Sequence, residues 1–493
     1  MLENPNRAEV IYMSEHSTTS PGGPLLHELL ALLLSHRGAF RQERTFGRMQ
    51  ALILGYLFSF ARRTITQALV ALGLTDDDWS AFYRLFNEPR IDYEELTGCL
   101  LCETLENIPE TEPYVVVVDG VQVPRHSHKM AGTSWLKNPR TPPFMPGIHR
   151  AQRFLHLGAL LPRSEEGYSR ALPLRWEPAF PEKAVLVEGM EARKEWEAAL
   201  DSLRWLRMEL DEAGRRTQRL LVLGDGGFCV ARFFHELPQR VDLMVRCAKN
   251  RALYELPKAK EGGRGRRRKY GEKAKKPHEW LTESSGWRKA AFMVRGREVR
   301  PRYRVEGPYV LKGAAERPVF LMVVKGVDHG SKRSKRRHRK RREPSFFLLT
   351  AVWEEERWVM PFAAEELLGW MWQRWEIEVA HRECKTGFGL GEAQCWSKEA
   401  AVLAVQWQAW AYAVLVLAGY RAWGLGRGSL RPPGRWWSGS GRWSLNTLWR
   451  GYRAELWGAE EFRPIFTLTG HGWPEKETLL AGMTNAVNGS LRG

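Results

Sequence analysis

Tyr114-Val115-Val116-Val117-Val118-Asp119-Gly120 changes the rhythm of the chain. Upstream, from about residue 25 to 106, apolar residues recur at three- and four-residue intervals, the spacing of helices that each bury one face. The four valines break that spacing. β-Branched side chains are stiff at χ1 and pack well on a pleated surface, so this run predicts a buried central strand ending at Asp119. A second run, Arg219-Leu220-Leu221-Val222-Leu223, closes in the same way on Gly224-Asp225-Gly226-Gly227. Strand-like runs at 154–161, 170–176 and 241–245, with a long amphipathic helix over 188–216, complete an α/β pattern: a mixed sheet flanked by helices.

Outward from the two aspartates, the next informative stretch is 362–387. It reads as one helix with Leu368, Trp372, Trp375 and Val379 as its apolar stripe. Arg374, Glu378, His381 and Lys385 follow at steps of four, three and four, near one polar face. At about 100° per residue, Glu376 lies about 200° around from Glu378 and Glu383 about 140°. A single carboxylate sharing a site with that Arg and Lys is therefore Glu378. Each feature also has a bland reading. An Asp after a strand commonly caps a turn, and the helix face would equally be a solvated ladder of Arg–Glu pairs. Together they describe carboxylates converging from separate elements, which is what in-line phosphodiester chemistry with hard divalent cations needs.

Arg374-x-x-x-Glu378-x-x-x-x-x-x-Lys385, within Gln373-Arg374-Trp375-Glu376-Ile377-Glu378, resembles the signature around the catalytic glutamate of insertion-sequence transposases of the IS4 and IS701 type. Val115–Asp119 is similar to their first-strand motif, and Leu221-Val222-Leu223-Gly224-Asp225-Gly226-Gly227-Phe228 to their second. Met371 stands where a Tyr usually precedes the Arg, and Gly120 where many relatives carry a second Asp or another polar residue. The resemblance spans roughly residues 25 to 419. It implies an RNase H-like catalytic domain with an Asp–Asp–Glu triad. Asp119, Asp225 and Glu378 would be the catalytic residues and the ligands of two Mg²⁺ ions, with Mn²⁺ as a possible substitute. Arg374 and Lys385 would grip DNA phosphates. The implied activity is cleavage at transposon ends followed by transfer of the 3′-OH to target DNA. A homodimer in the synaptic complex is expected, because two ends are processed together. The spacings, 106 residues between the aspartates and 153 from Asp225 to Glu378, leave room for the β-rich insertion of such enzymes. Some relatives stack a flipped base on an insertion-domain Trp. Trp280 and Trp287 are the candidates, with packing as their alternative role.

Composition points the same way. A chain of 493 residues with 75 Lys and Arg against 57 Asp and Glu has a net charge of +18, which favours a polyanionic partner. Six cysteines read as reduced, intracellular usage rather than a disulfide scaffold. Cys99 and Cys102 form a lone C-x-x-C, read as buried helix residues because no second pair lies at zinc spacing. The uncharged stretch 400–419 could span a bilayer, but its glutamines and alanines read as a core helix. No secretory signal is read, so a cytoplasmic, nucleoid-associated protein without membrane contact is expected.

The charge is concentrated. Residues 249–276 hold twelve Lys and Arg against three Glu, and 332–342 hold nine basic residues in eleven positions. Lys332, Arg333, Arg336 and Arg337 are the candidate DNA-binding cations of that second block, which would act through salt-sensitive phosphate contacts. Short apolar runs between the blocks, such as 291–294 and 319–324, would pair as a small β appendage. The expected division is a loose leader (1–22), a helical DNA-binding domain (23–110), a first catalytic part (111–249), a basic insertion (250–344), a second catalytic part (345–425) and a Trp/Gly-rich C-terminal region (426–493). In that last region and just before it, Trp423, Trp436, Trp437, Trp443 and Trp449 anchor the chain or form a stacking surface. Two other functions share these features: a repurposed transposase that only binds DNA, and a nuclease with the same core. An RNA-binding protein would need exposed aromatics on a sheet or a recognised module, and no such motif is present.

Overall fold

The computed structural model describes residues 23–76, 78–139, 141, 144–257, 268–326, 343–393, 395, 397–426 and 442–458. The leader, the basic residues Lys332, Arg333, Arg336 and Arg337, and Trp436 and Trp437 lie outside them.

Five helices come first: α1 (Pro24–Ser35), α2 (Glu43–Phe58), α3 (Ile65–Leu72), α4 (Ser80–Asn87) and α5 (Tyr93–Leu105). Capping is explicit in two of them. Thr64 accepts from the Gln67 N–H at the start of α3, and Asp92 from the Glu95 N–H at the start of α5. The sheet begins with β1 (Tyr114–Pro124), β2 (Thr133–Lys137), β3 (Ile148–Leu160) and β4 (Ala171–Pro178). Helix α6 (Glu195–Glu212) leads to β5 (Leu220–Gly224), α7 (Ala231–Glu236) and β6 (Val241–Arg246). β1, β3 and β4 form an antiparallel meander, while β5 and β6 run parallel to β1, so the order across the sheet is β4-β3-β1-β5-β6. Tyr114 to Val118 are all buried, consecutive residues on both faces of the sheet, which requires cover on both sides. This mixed sheet flanked by helices is the RNase H-like arrangement.

The later strands are β7 (Tyr254–Glu255), β8 (Arg288–Lys289), β9 (Phe292–Val294), β10 (Arg297–Val299), β11 (Arg302–Leu311), β12 (Ala314–Val324), β13 (Ser345–Thr350), β14 (Val352–Glu354) and β15 (Arg357–Val359). The expected separate appendage is only partly formed. β13 pairs with β6, and β12, β11 and β7 follow it, so the inserted strands extend the central sheet to eleven strands. β12 is long and fully buried in its second half, and its backbone groups are satisfied by joining an edge rather than by standing alone. β9 and β10 make the small separate hairpin.

Helices α8 (Ala364–Gln373), α9 (Trp375–Thr386), α10 (Lys398–Trp423) and α11 (Leu445–Gly458) follow. Two sequence expectations change here. The single helix over 362–387 breaks at Arg374, which resets its phase: Glu376, Ile377, Ala380, Glu383 and Cys384 face inward, and Trp375, expected in the apolar stripe, is 49% exposed. The helix over 188–216 is shorter because the Glu197 carboxylate reaches back to accept the Lys194 backbone N–H at 2.9 Å and fixes the helix start there. α10 meets the length and composition of a membrane span, yet 89% of its apolar window is buried within the fold, where it packs against α1, α4, α5 and β4. Cys99 and Cys102 do lie on α5, but half-buried and exposed rather than buried.

Candidate active site

β1 does not stop at Asp119. It continues to Pro124 beside β3, while its parallel pairing with β5 ends at Val118 opposite Gly224. Asp119 therefore stands where two parallel strands part, and Asp225 follows directly at the end of the second. Gly224 is tightly surrounded: a Cβ there would come within 3.0 Å of Val245 and 3.2 Å of Phe228, which would have to shift. Asp225 then turns the chain by accepting the Gly227 N–H at 2.7 Å. The turn role foreseen for this Asp is present, and one carboxylate oxygen makes it.

α9 crosses above this point, packed on β4 and β1. The Arg374 guanidinium donates to Glu378 at 2.9 Å and stands 4.0 Å from Asp119, so it bridges the two. Burial, and then the charge of Asp225, push the Asp119 carboxyl up to about 7, with Glu378 adding to the shift and Arg374 opposing it. Asp119 is thus within electrostatic reach of both other carboxylates. Among the described residues, no three His, Cys, Asp or Glu side chains already stand as a metal cluster. The donor chemistry nonetheless fits a hard cation, with carboxylate oxygens from three elements, and burial together with the neighbouring negative charges holds a proton on Asp119 near neutrality.

The other carboxylates of α9 are committed elsewhere. Glu376 is 1% exposed and held by Arg295 at 2.5 Å and Arg442 at 2.7 Å. Glu383 accepts from Arg170 and from the Tyr412 hydroxyl, each at 2.7 Å. Lys385 lines a cavity at the far end of the same helix. His381 was placed on the polar face. It is instead half-buried and shares a 2.8 Å hydrogen bond with His156, the cross-strand neighbour of Asp119. That strut latches α9 to the sheet beside the carboxylates.

Sequence reasoning missed two residues. His156 is visible only through the β1–β3 register. Glu195 is the first residue of α6, and its carboxyl occupies the space a side chain at Gly120 would take. Burial raises its pKa above the usual carboxylate range, Arg153 at 3.6 Å opposes this, and Asp225 adds to it. A fourth carboxyl thus stands where many relatives carry their polar residue on the strand. The expected helix start at 188 concealed it. Trp280 and Trp287 both pack against Arg304, at 4.4 Å and 5.5 Å from the ring centroids, and Trp287 donates to the Glu283 carbonyl.

Comparison with known families agrees with the geometry. The DDE superfamily endonuclease model matches residues 35–305, more than half of the chain, and the Transposase DDE domain model matches residues 197–414. The first span contains Asp119 and Asp225, and the second contains Asp225 and Glu378. No curated protein matches. Such enzymes act on DNA and generally use divalent metal ions. The chain belongs to the DDE superfamily of endonucleases and carries a transposase DDE domain.

Proposed function

We propose that this protein cuts DNA at the ends of an insertion sequence of the IS4 or IS701 type and joins the freed 3′-OH to target DNA. Asp119, Asp225 and Glu378 are its catalytic residues. The observation that carries this reading is that Asp119, where β1 parts from β5, lies within electrostatic reach of Asp225 at the end of β5 and of Glu378 on α9, while Glu376 and Glu383 are locked in ion pairs.

In cleavage, water attacks phosphorus and the bond to the 3′ oxygen of the transposon end breaks, leaving a 3′-OH. In joining, that hydroxyl attacks a target phosphodiester and displaces the target's own 3′ oxygen. The three carboxylates would hold two Mg²⁺ ions, for which Mn²⁺ would substitute. When bound, these supply Lewis acidity at the attacking and leaving oxygens. The protein's own contribution is placement. The sheet fixes Asp119 and Asp225, the His156–His381 strut fixes α9, and Arg374 is exchanged from its two carboxylates to the DNA phosphate as substrate enters. Lys385 offers a second phosphate contact two turns along α9. Lys332, Arg333, Arg336 and Arg337 add unspecific phosphate binding. The helices of 23–110 would serve as a DNA-contacting domain, and a homodimer would pair the two ends at the nucleoid in the cytoplasm.

The test is cleavage and joining of DNA carrying the element's own ends, with Mg²⁺, by wild type and Glu378→Gln. Gln keeps the shape and removes the charge. Loss of both steps with DNA binding retained supports the reading. A variant that cuts like wild type overturns the assignment of Glu378. A wild type that binds without cutting points to a repurposed DNA-binding protein, and one that cuts without joining to a nuclease.

A further inference from the structure

Two adjoining cavities, of about 700 and 400 Å³, open side by side past the C-terminal end of α9, sharing Arg62, Thr386 and Glu392 in their walls. Four distant segments meet there: residues 60–63 after α2, the stretch 124–130 from the end of β1, the end of α9 with the turn after it (385–393), and one face of α11. The cations among their linings are Arg62, Arg63, Arg125, Lys385, Arg450 and Arg453, against the one carboxylate of Glu392. Arg125 is spent internally on the carbonyls of Gly391 and Ala393. Carbonyl partners do not neutralise a guanidinium, and all six cations give the groove a positive wall.

Two of these guanidinium groups are held rather than mobile. Arg453 donates to the carbonyls of Leu57 and Ser59, at 2.8 and 2.9 Å, and lies 4.2 Å over the Phe60 ring. Arg63 lies 5.0 Å over Trp449, against whose ring Arg453 also rests. Neither makes an ion pair among the described residues, and the buried Nε of Arg63 has no hydrogen-bond partner. Burial, and then the neighbouring Arg63, push Arg453 down to about 10. Folding has brought like charges together, partly out of water, with the single carboxylate of Glu392 acting on Arg63 and leaving the group net positive, an arrangement stabilised by an anion from outside. Rigid, planar guanidinium groups match phosphate oxygens especially well.

The groove also has a direction. Lys385 lies in its wall and is two helical turns, about 10 Å, from Glu378 on the same side of α9. That length is roughly three nucleotide steps along one DNA strand.

We propose that this groove is the path of a DNA strand running away from the carboxylates, its phosphates seated against Arg62, Arg63, Arg450 and Arg453. The inference rests on the nuclease reading and extends it to a surface built jointly by the N-terminal helices and α11. It is tested by fluorescence anisotropy of a labelled random-sequence duplex with the full chain, free of divalent metal, across a range of salt. Arg62 and Arg450 are exposed, so the double variant Arg62→Ala/Arg450→Ala should keep the wild-type unfolding midpoint. The slope of log affinity against log salt should become shallower by about 1.8, from two lost phosphate contacts. Arg300→Ala/Arg357→Ala, which removes two highly exposed arginines far along the chain, should leave the slope unchanged. An unchanged slope in the groove variant, or an equal change in both variants, overturns the groove. If wild type still cuts DNA in that case, the nuclease reading survives. A wild type that neither binds nor cuts removes both.

Discussion

The two sides of α9 carry the same residue type in opposite conditions. On the inward side, Glu376 and Glu383 are almost fully enclosed, each between positively charged or hydroxyl partners. On the outward side, Glu378 is 34% exposed at its side chain and, among the described residues, shares its one ion-pair partner, Arg374, with Asp119. The inward carboxylates have their charge answered by the fold itself. The outward one joins Asp119, whose carboxyl is pushed up first by burial and then by the charge of Asp225, with Glu378 adding to it against the one cation Arg374. Completed ion pairs mark structure, and an uncompleted cluster of carboxylates marks a place for something from outside.

The sharpest way to break this comparison is to neutralise one carboxylate from each side. Glu378→Gln should lower Mg²⁺-dependent cleavage by at least about a hundredfold, about 3 kcal/mol of transition-state stabilisation, yet change stability by no more than about 1 kcal/mol, the worth of a partly exposed i,i+4 pair. Glu383→Gln should do the reverse to the fold. It strands Arg170, 2% exposed at its side chain, and removing one partner of such a pair costs about 3 kcal/mol. Urea midpoints and cleavage rates on both variants read the two effects separately. Equal loss of stability in both would mean that Glu378 is a structural residue too.

How much of this was legible from the sequence differs from element to element. β1, β5 and β6 were visible because a strand buried on both faces must be continuously apolar, and the aspartates at the ends of β1's valine run and of β5 followed from that. Glu378 was separable from Glu376 and Glu383 by helical angle alone, even though the predicted helix was unbroken, because the angles needed were local. Trp375 and His381 went astray for the same reason in reverse. Their surroundings depend on the break at Arg374 and on which strand lies beneath, and neither is encoded in local spacing. β2 was missed altogether, and β11 was not foreseen as part of the central sheet. Glu195, His156 and the arginines around Trp449 are brought to their places by register and by contacts between segments up to about 390 residues apart, for which no short-range pattern exists.

A finer test of the outward side uses the histidine strut. Burial lowers both pKa values, that of His381 to about 3 and that of His156 well below the ordinary value. The native state therefore keeps both rings neutral where the unfolded chain, with ordinary His values near 6.5, takes up protons. Stability is fully present above about pH 6.5 and falls as the pH drops below it, by up to roughly 1.4 kcal/mol per unit for each histidine, and by less for the more accessible His381. Asp119, pushed up to about 7, opposes this because the native state takes up its proton before the unfolded chain does, and metal-free protein should lose melting temperature between pH 7 and 5 by the excess of the two histidines over that one carboxyl. Replacing His156 with Gln, which cannot take up a proton, should flatten that loss relative to wild type. An unchanged pH dependence would show that His156 does not stay neutral in the native state while the unfolded chain takes up protons.

The smallest effect concerns the fourth carboxyl. A methyl group at Gly120 would fall on the Glu195 carboxyl group, the flexible end of a side chain, so Gly120→Ala should displace that group and leave the backbone where it is. The stability cost should stay below about 1 kcal/mol, since a partly exposed ion pair with Arg153 is all that is given up. If Glu195 adds to the negative potential around Asp225, displacing it and neutralising it should act alike. Gly120→Ala and Glu195→Gln would then each raise the Mg²⁺ concentration for half-maximal cleavage by a few-fold, with little change in the rate at saturation. A few-fold change corresponds to about 1 kcal/mol, what one partly screened charge contributes. If Glu195→Gln has this effect and Gly120→Ala does not, the carboxyl finds another route to the site when displaced. If neither has it, Glu195 only fills the space left by Gly120, and the three remaining carboxylates hold the metal unaided.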